Sequence, residues 1–272
     1  MQVLFSAIMG IVQGLSEFLP ISSSGHLLLA ERLLSLVGYD VSSSKSLMIM
    51  LHMGTLLAVA AVFIKDWLNM LRHPIKDRTL LLLFLASLPA LFAVLLLGDF
   101  IDSTFTGWFL GPAFLITALF LVLAEYISRK NKKPSDEVNL KNAGAMGLFQ
   151  AVALLPGVSR SGSTLLGGLI SGLSRRTAAK FSFLMSAPAI LGSFLVELKD
   201  VFESGNTATL FSFDILVGTA FAAVSGFFAI RYMLRLIEKI SFNKFAIYVA
   251  IVGIITIIFQ LTGFAGFPPI MQ

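Results

Sequence analysis

Apolar residues in this chain collect into long unbroken runs, not into the two- or three-to-four-residue spacing of soluble strands and helices. Six runs reach the roughly 18–20 residues that a helix needs to cross a hydrocarbon core: about Leu47–Ile64, Leu80–Leu97, Phe109–Ile127, Ala178–Val196, Phe211–Ile230 and Phe245–Gly263. Two further apolar regions, Met1–Leu36 and Ala143–Leu173, are each broken by a proline and a Ser/Gly-rich turn. The pattern predicts an all-α integral membrane protein, a single polytopic domain over residues 1–272, with six transmembrane helices and two interrupted helix pairs.

The two interruptions resemble each other. Gly14 to His26 reads GLSEFLPISSSGH and Leu154 to Thr164 reads LLPGVSRSGST. Gln13 and Gln150, and likewise Ser24-Gly25 and Ser161-Gly162, stand 137 positions apart. The spacing predicts a duplicated element: repeat 1 at about 1–128 with its pair in 1–36, and repeat 2 at about 143–263 with its pair in 143–174.

Composition agrees with the runs. The 272 residues are 57% hydrophobic and 13% charged, against about 45–50% and about 25% in soluble domains, and the mean hydropathy is +0.89. The absence of cysteine excludes disulfides and thiolate metal sites. Met1-Gln2-Val3 lacks the basic stretch of a cleavable signal, so none is expected. The net charge of +5 would suit nucleic acid, but the basic residues lie in short loops between apolar runs, and no nucleic-acid partner is expected.

Those loops set the sidedness. Loops 65–79, 129–143, 175–180 and 231–244 hold 16 of the 20 Lys and Arg, and the opposite loops and termini hold 3. The positive-inside rule then puts both termini outside and the basic loops in the cytoplasm. Full crossings by both broken pairs would leave their turns on opposite faces. If each pair dips to mid-depth and returns, the turns meet, as in inverted repeats with broken helices. Irregular backbone at that depth is tolerated only when buried or lining a polar cavity. Two re-entrant pairs meeting near the midplane are therefore expected.

The remaining residue, Arg160, stands in the second turn, and only the first turn carries an acid and a histidine, Glu17 and His26. Intramembrane charges are functional candidates by default. Gln13 lies one turn before Glu17, on the same helix face. Ser22, Ser23, Ser24 and Gly25 open a new half-helix whose free N–H groups suit an anion. Ser23 is a candidate nucleophile with His26 about one turn away as its base. Arg160 forks onto phosphate oxygens, and Ser159, Ser161, Gly162, Ser163 and Thr164 surround it. His52 is a weaker candidate for lining the cavity. Glu125, Lys180, Glu197 and Asp214 stand near run ends, where solvated interfacial charge is expected, and Arg175-Arg176 read as topology signals.

With these residues in view, the chain resembles the bacterial undecaprenyl-diphosphatase (bacitracin-resistance) family over essentially its whole length. Gln13 and Glu17 fall on that family's (E/Q)xxxE motif, followed by Ser22-Ser23-Ser24-Gly25-His26, and Pro156 to Thr164 on its PGxSRSxxT motif. Gln13 stands where many members have a second Glu. The resemblance implies a bacterial inner-membrane enzyme that removes the terminal phosphate of a polyprenyl diphosphate and so recycles the lipid carrier for peptidoglycan. It also implies a site opening to the outer face and a divalent cation, Mg²⁺ or Ca²⁺, for which Glu17 and Gln13 are the candidate ligands. Acid-phosphatase-like lipid phosphatases share an SGH turn but continue SR-x5-H, where this chain has Leu166. The expected scheme has Arg160 clamp the phosphate, Ser23 attack and His26 take the proton, with direct water attack as a second route. A transporter or flippase of a polyprenyl phosphate carrier is the alternative, and a homodimer is left open.

Overall fold

The computed structural model describes residues 2–38, 44–74, 76–203 and 210–270. The side chain of Glu197, expected to be a solvated interfacial charge, lies outside the described residues. The described residues form eleven α-helices and no β-strand. They are α1 (Gln2–Phe18), α2 (Ser23–Ser35), α3 (Ser44–Val62), α4 (Ile64–Arg72), α5 (Thr79–Thr104), α6 (Leu110–Lys130), α7 (Leu140–Val152), α8 (Arg160–Ile170), α9 (Arg175–Glu203), α10 (Phe213–Leu236) and α11 (Phe242–Thr262).

Helices α5, α6, α9, α10 and α11 are long and apolar enough to cross a membrane. The first expected span does not run straight: α3 and α4 meet at Phe63 with a 71° bend. Beyond the break α4 reads Ile-Lys-Asp-Trp-Leu-Asn-Met-Leu-Arg, a mixed sequence that no longer suits lipid and turns aside. The other spans run past their apolar cores, α5 over 26 residues and α9 over 29. Leucines such as Leu95 and Leu96 on α5, and Phe213 and Phe228 on α10, are exposed, a surface that suits lipid tails.

The two broken pairs form as expected. At 17, 13, 13 and 11 residues, α1, α2, α7 and α8 are roughly 17–25 Å long, short of a core of about 30 Å. Pro20 ends α1 just before it, because the residue before proline disfavours the α conformation, whereas α7 stops at Val152, four residues short of Pro156. The second helix of each pair then starts on a serine cap. Ser22 Oγ accepts from Gly25 N and Ser159 Oγ from Gly162 N, equivalent positions at the offset of 137.

Packing crosses between the halves. A Cβ on Gly10 of α1 would stand 2.2 Å from the Gly218 carbonyl of α10, and one on Gly147 of α7 would stand 2.5 Å from the Ala86 carbonyl of α5. Bare glycines therefore let backbones touch where lipid offers no hydrophobic drive. Helix α1 lies against a late span, and α7 against an early one.

One expectation is corrected at the ends of α6, α9 and α11. Glu125 is not a solvated interfacial charge; it is 4% exposed. Its oxygens accept from Arg129 Nε at 2.6 Å, Arg175 Nη2 at 2.9 Å and the backbone N–H of Phe242 at 2.9 Å. Arg175 also reaches Ser128 and the Ile240 carbonyl and lies over the Phe242 ring. Its role extends beyond a loop topology signal: it joins three helix ends, one of which, α11, is capped by Glu125.

Candidate active site

The two turns meet. A Cβ on Gly25 would stand 2.6 Å from the Phe114 ring and 3.0 Å from Gly157 Cα, so a side chain there would force its neighbours apart, and Gly157 itself has φ 94°, a conformation that L side chains avoid. Ser161 Oγ donates to the Leu19 carbonyl at 3.0 Å, tying the second turn to the first.

Around this contact the charged residues converge. Glu17, near the end of α1, is 7% exposed. Its Oε1 accepts from Arg160 Nη2 at 2.8 Å, and its Oε2 from Ser23 Oγ at 2.5 Å and Gln13 Nε2 at 3.2 Å. Arg160 sends its other arm, Nη1, to the Ser182 carbonyl of α9 at 3.1 Å. The sequence-derived set Gln13, Glu17, Ser23 and Arg160 is therefore one bonded cluster, joined across 143 residues by the Glu17–Arg160 pair.

The geometry reassigns one partner. Ser23 was expected to be served by His26, but its hydroxyl donates to Glu17. The imidazole is bound elsewhere: Nδ1 is 2.7 Å from the Ser22 carbonyl and Nε2 is 2.9 Å from the Tyr248 hydroxyl. Ser22 has φ 74°, and its carbonyl also accepts the His26 backbone N–H. The carboxylate beside the serine is thus Glu17, six residues back across the turn.

The hydroxyls of the second turn divide by position. Ser159 and Ser161 are buried and occupied, as cap and as bridge to Leu19. Thr164 is buried and bonds Ser182 Oγ at 2.6 Å. Ser163 Oγ is buried and has no partner. These side chains stand behind Arg160 and brace it, while Ser23, Ser24, His26 and Arg160 are only half-buried. Anion contact at α8 is left to the guanidinium and to the N–H groups of Arg160 and Ser161, which lack intrahelical acceptors by their place in the first turn. The same holds for Ser23 and Ser24 at α2. Gly162, the third residue of α8, donates its N–H to the Ser159 cap.

Three supporting residues carry no motif and were missed in the sequence. Thr117 of α6 donates to the Gly157 carbonyl and accepts from Ser159 N, both at 2.8 Å, so it holds the turn that presents Arg160. Ser182 anchors Arg160 and Thr164. Tyr248 of α11 holds His26. The only sequence signal at Thr117 and Ser182 was a hydroxyl within an apolar run. His52 is half-buried, with Nδ1 bonded to the Met48 carbonyl.

No group of three or more His, Cys, Asp or Glu that could hold a metal occurs among the described residues. One carboxylate, Glu17, is present, beside the Gln13 Oε1, which is buried without a partner. Two oxygens suit a hard cation that takes its other ligands from water and substrate phosphates, so the residues fit a shared site and not a closed protein cage.

Residues 6–255 match the family model described as bacitracin resistance protein BacA. The chain is 40% identical over 256 residues to "Undecaprenyl-diphosphatase 4" of Bacillus thuringiensis (strain Al Hakam), covering 94% of this chain and 96% of the relative. It is 40% identical over 260 residues to "Undecaprenyl-diphosphatase" of Halothermothrix orenii, covering 95% and 98%. To "Undecaprenyl-diphosphatase" of Methanobrevibacter smithii it is 38% identical over 286 residues, covering 96% and 99%.

Proposed function

The chain belongs to the bacitracin resistance protein BacA family, and from that premise we infer that it is an undecaprenyl-diphosphatase of the membrane, splitting the terminal phosphate from undecaprenyl diphosphate. The observation that carries the chemical reading is the Ser23 hydroxyl donating to Glu17 while Glu17 pairs with Arg160. A hydroxyl bonded to a carboxylate beside an arginine fork supports nucleophilic attack on phosphorus.

Ser23 Oγ attacks the terminal phosphorus and its proton passes to Glu17. The bridging P–O bond breaks, and undecaprenyl phosphate leaves with the electron pair. Arg160 and the first-turn N–H groups of α2 and α8 bind the equatorial oxygens, so that catalysis is positioning plus charge stabilisation. Water then attacks the phosphoserine. His26 Nε2, with its lone pair, accepts the proton from that water, and Glu17 returns its own to Ser23 as phosphate departs. Gln13 Oε1 and Glu17 are the groups that would hold Mg²⁺ or Ca²⁺ with the diphosphate; the cation would neutralise phosphate charge.

The short helices α1, α2, α7 and α8 support a re-entrant reading, with the pairs entering from opposite faces. The 16-to-3 split of basic residues supports both termini and the site opening on the extracytoplasmic side. The transport alternative rests on architecture alone, which does not specify function.

Release of phosphate from purified lipid diphosphate in detergent micelles, where there are no two sides, tests the whole reading. Enzyme activity there is expected, and its absence would favour transport. Ser23→Ala retaining wild-type turnover would overturn the covalent route.

A further inference from the structure

His26 is held by more than its own helix. The Tyr248 ring lies nearly parallel to the imidazole, at 14° with centroids 5.7 Å apart, and its hydroxyl is 2.9 Å from Nε2. Phe114 of α6 meets the imidazole edge-on, at 83° and 5.3 Å. On the far side, Nδ1 lies 2.7 Å from the Ser22 carbonyl. A carbonyl can only accept, so Nδ1 bears the proton, and Nε2 of the neutral ring keeps a lone pair that accepts from the phenol. No charged side chain among the described residues hydrogen-bonds His26. Its tautomer, plane and lone-pair direction are therefore set by neutral groups on α2, α6 and α11.

We propose that Tyr248 is a relay between His26 and the hydrolytic water in the phosphatase reaction: its phenol fixes the His26 ring by donating to the Nε2 lone pair, and it takes the water's proton on its own oxygen as it passes the phenol proton to Nε2. The proposal rests on the reading of His26 as acceptor of that water's proton. Tyr248 is 45% exposed, and its oxygen has lone pairs left to accept from a water while the phenol proton points to Nε2. A phenylalanine would stack as well but would leave the lone pair unguided. Tyr248 is placed outside both motifs, 222 residues from His26, and contacts neither Ser23, Glu17 nor Arg160 through any hydrogen bond.

The test combines kinetics and spectroscopy on the full chain in detergent. The chain has three histidines, so ¹⁵N-imidazole labelling gives few signals, and His26→Gln identifies the one that matters. Tyr248→Phe is expected to move the His26 Nε2 signal while leaving Nδ1 in place. It is also expected to lower kcat about tenfold, the worth of one hydrogen bond, with KM changed less than about twofold. In a His26→Gln background the same substitution should cost nothing further, because Tyr248 acts through His26. Wild-type kcat in Tyr248→Phe, unmoved nitrogen signals, or an equal loss in both backgrounds would overturn the proposal. Wild-type turnover in His26→Gln would instead remove the reading of His26 on which it rests, and the nitrogen signals would still report whether the phenol is bonded.

Discussion

Arg160 divides its guanidinium between Glu17 Oε1 at 2.8 Å and the Ser182 carbonyl at 3.1 Å, so the side chain proposed as the phosphate clamp is also the tie between α1, α8 and α9. A buried ion pair is weak evidence for stability, but breaking one by removing a single partner costs about 3–5 kcal/mol.

Arg160→Lys separates the two roles. An ammonium keeps the charge beside Glu17 but cannot fork. Turnover should fall by about two orders of magnitude, a loss on the scale of one preorganised charge-stabilising donor, with a thermal midpoint within a few degrees of wild type. Phosphate release and melting curves in detergent decide; unchanged turnover would leave only the structural role. Glu17→Leu, by contrast, strands a half-buried guanidinium without its carboxylate and should lower the midpoint.

The order of the two chemical steps can be read from what accumulates. With Glu17 serving Ser23 and His26 serving water, His26→Gln should still form phosphoserine but hydrolyse it slowly. Acid-quenched enzyme should then carry phosphate on Ser23 by peptide mass spectrometry. A clean Ser23 in a variant that has lost turnover would indicate that His26 acts at or before the first step.

Thr117 gives a sharper case of remote support. Thr117→Val keeps the shape but leaves the Gly157 carbonyl and the Ser159 N–H buried without a partner, at a cost of about 1–3 kcal/mol each. The turn presenting Arg160 should loosen, raising KM and lowering kcat together, and Thr117→Ser should restore most of both.

Glu125 should matter for stability and not for chemistry. Its pair with half-buried Arg175 is the costly one to break, while Arg129 is largely exposed and contributes little. Glu125→Gln is expected to destabilise by about 3 kcal/mol, seen as a lower melting midpoint, with kcat unchanged below the transition.

Asp77, in the loop between α4 and α5, supplies a pH signature. Hydrogen bonds from Thr79, and then from Asn69, hold its carboxyl below the ordinary aspartate value, with burial opposing them. A depressed carboxylate stabilises above its unfolded value and loses that contribution as pH falls through the folded one. Stability should therefore decline on acidification from about pH 4 downward, and Asp77→Asn should flatten that part of the curve.

Much of this was legible because lipid simplifies the code. Apolar runs long enough to span stood out, and an acid or arginine within them had to be functional or paired; Glu17 and Arg160 are paired with each other. What escaped was of two kinds. The bend at Phe63 depends on where α4 leaves the apolar environment, which the first expected span, carried through to Ile64, did not mark. Thr117, Ser182 and Tyr248 act through contacts 22 to 222 residues away, and a lone hydroxyl in an apolar run carries no address. Local spacing also suggested the wrong neighbour for Ser23: His26 is nearer in sequence, but the fold back at Pro20 brings Glu17 closer.

The glycine contact between α1 and α10 has a consequence for biogenesis. Gly10 and Ser225, which bond across it, are 215 residues apart, on the order of 10–40 s of synthesis. Helix α1 therefore leaves the ribosome well before the surface it rests on. For that interval the first hairpin must wait with its small-residue face uncovered. Synthesis order thus builds a wait into this contact, which ends when α10 arrives to close it.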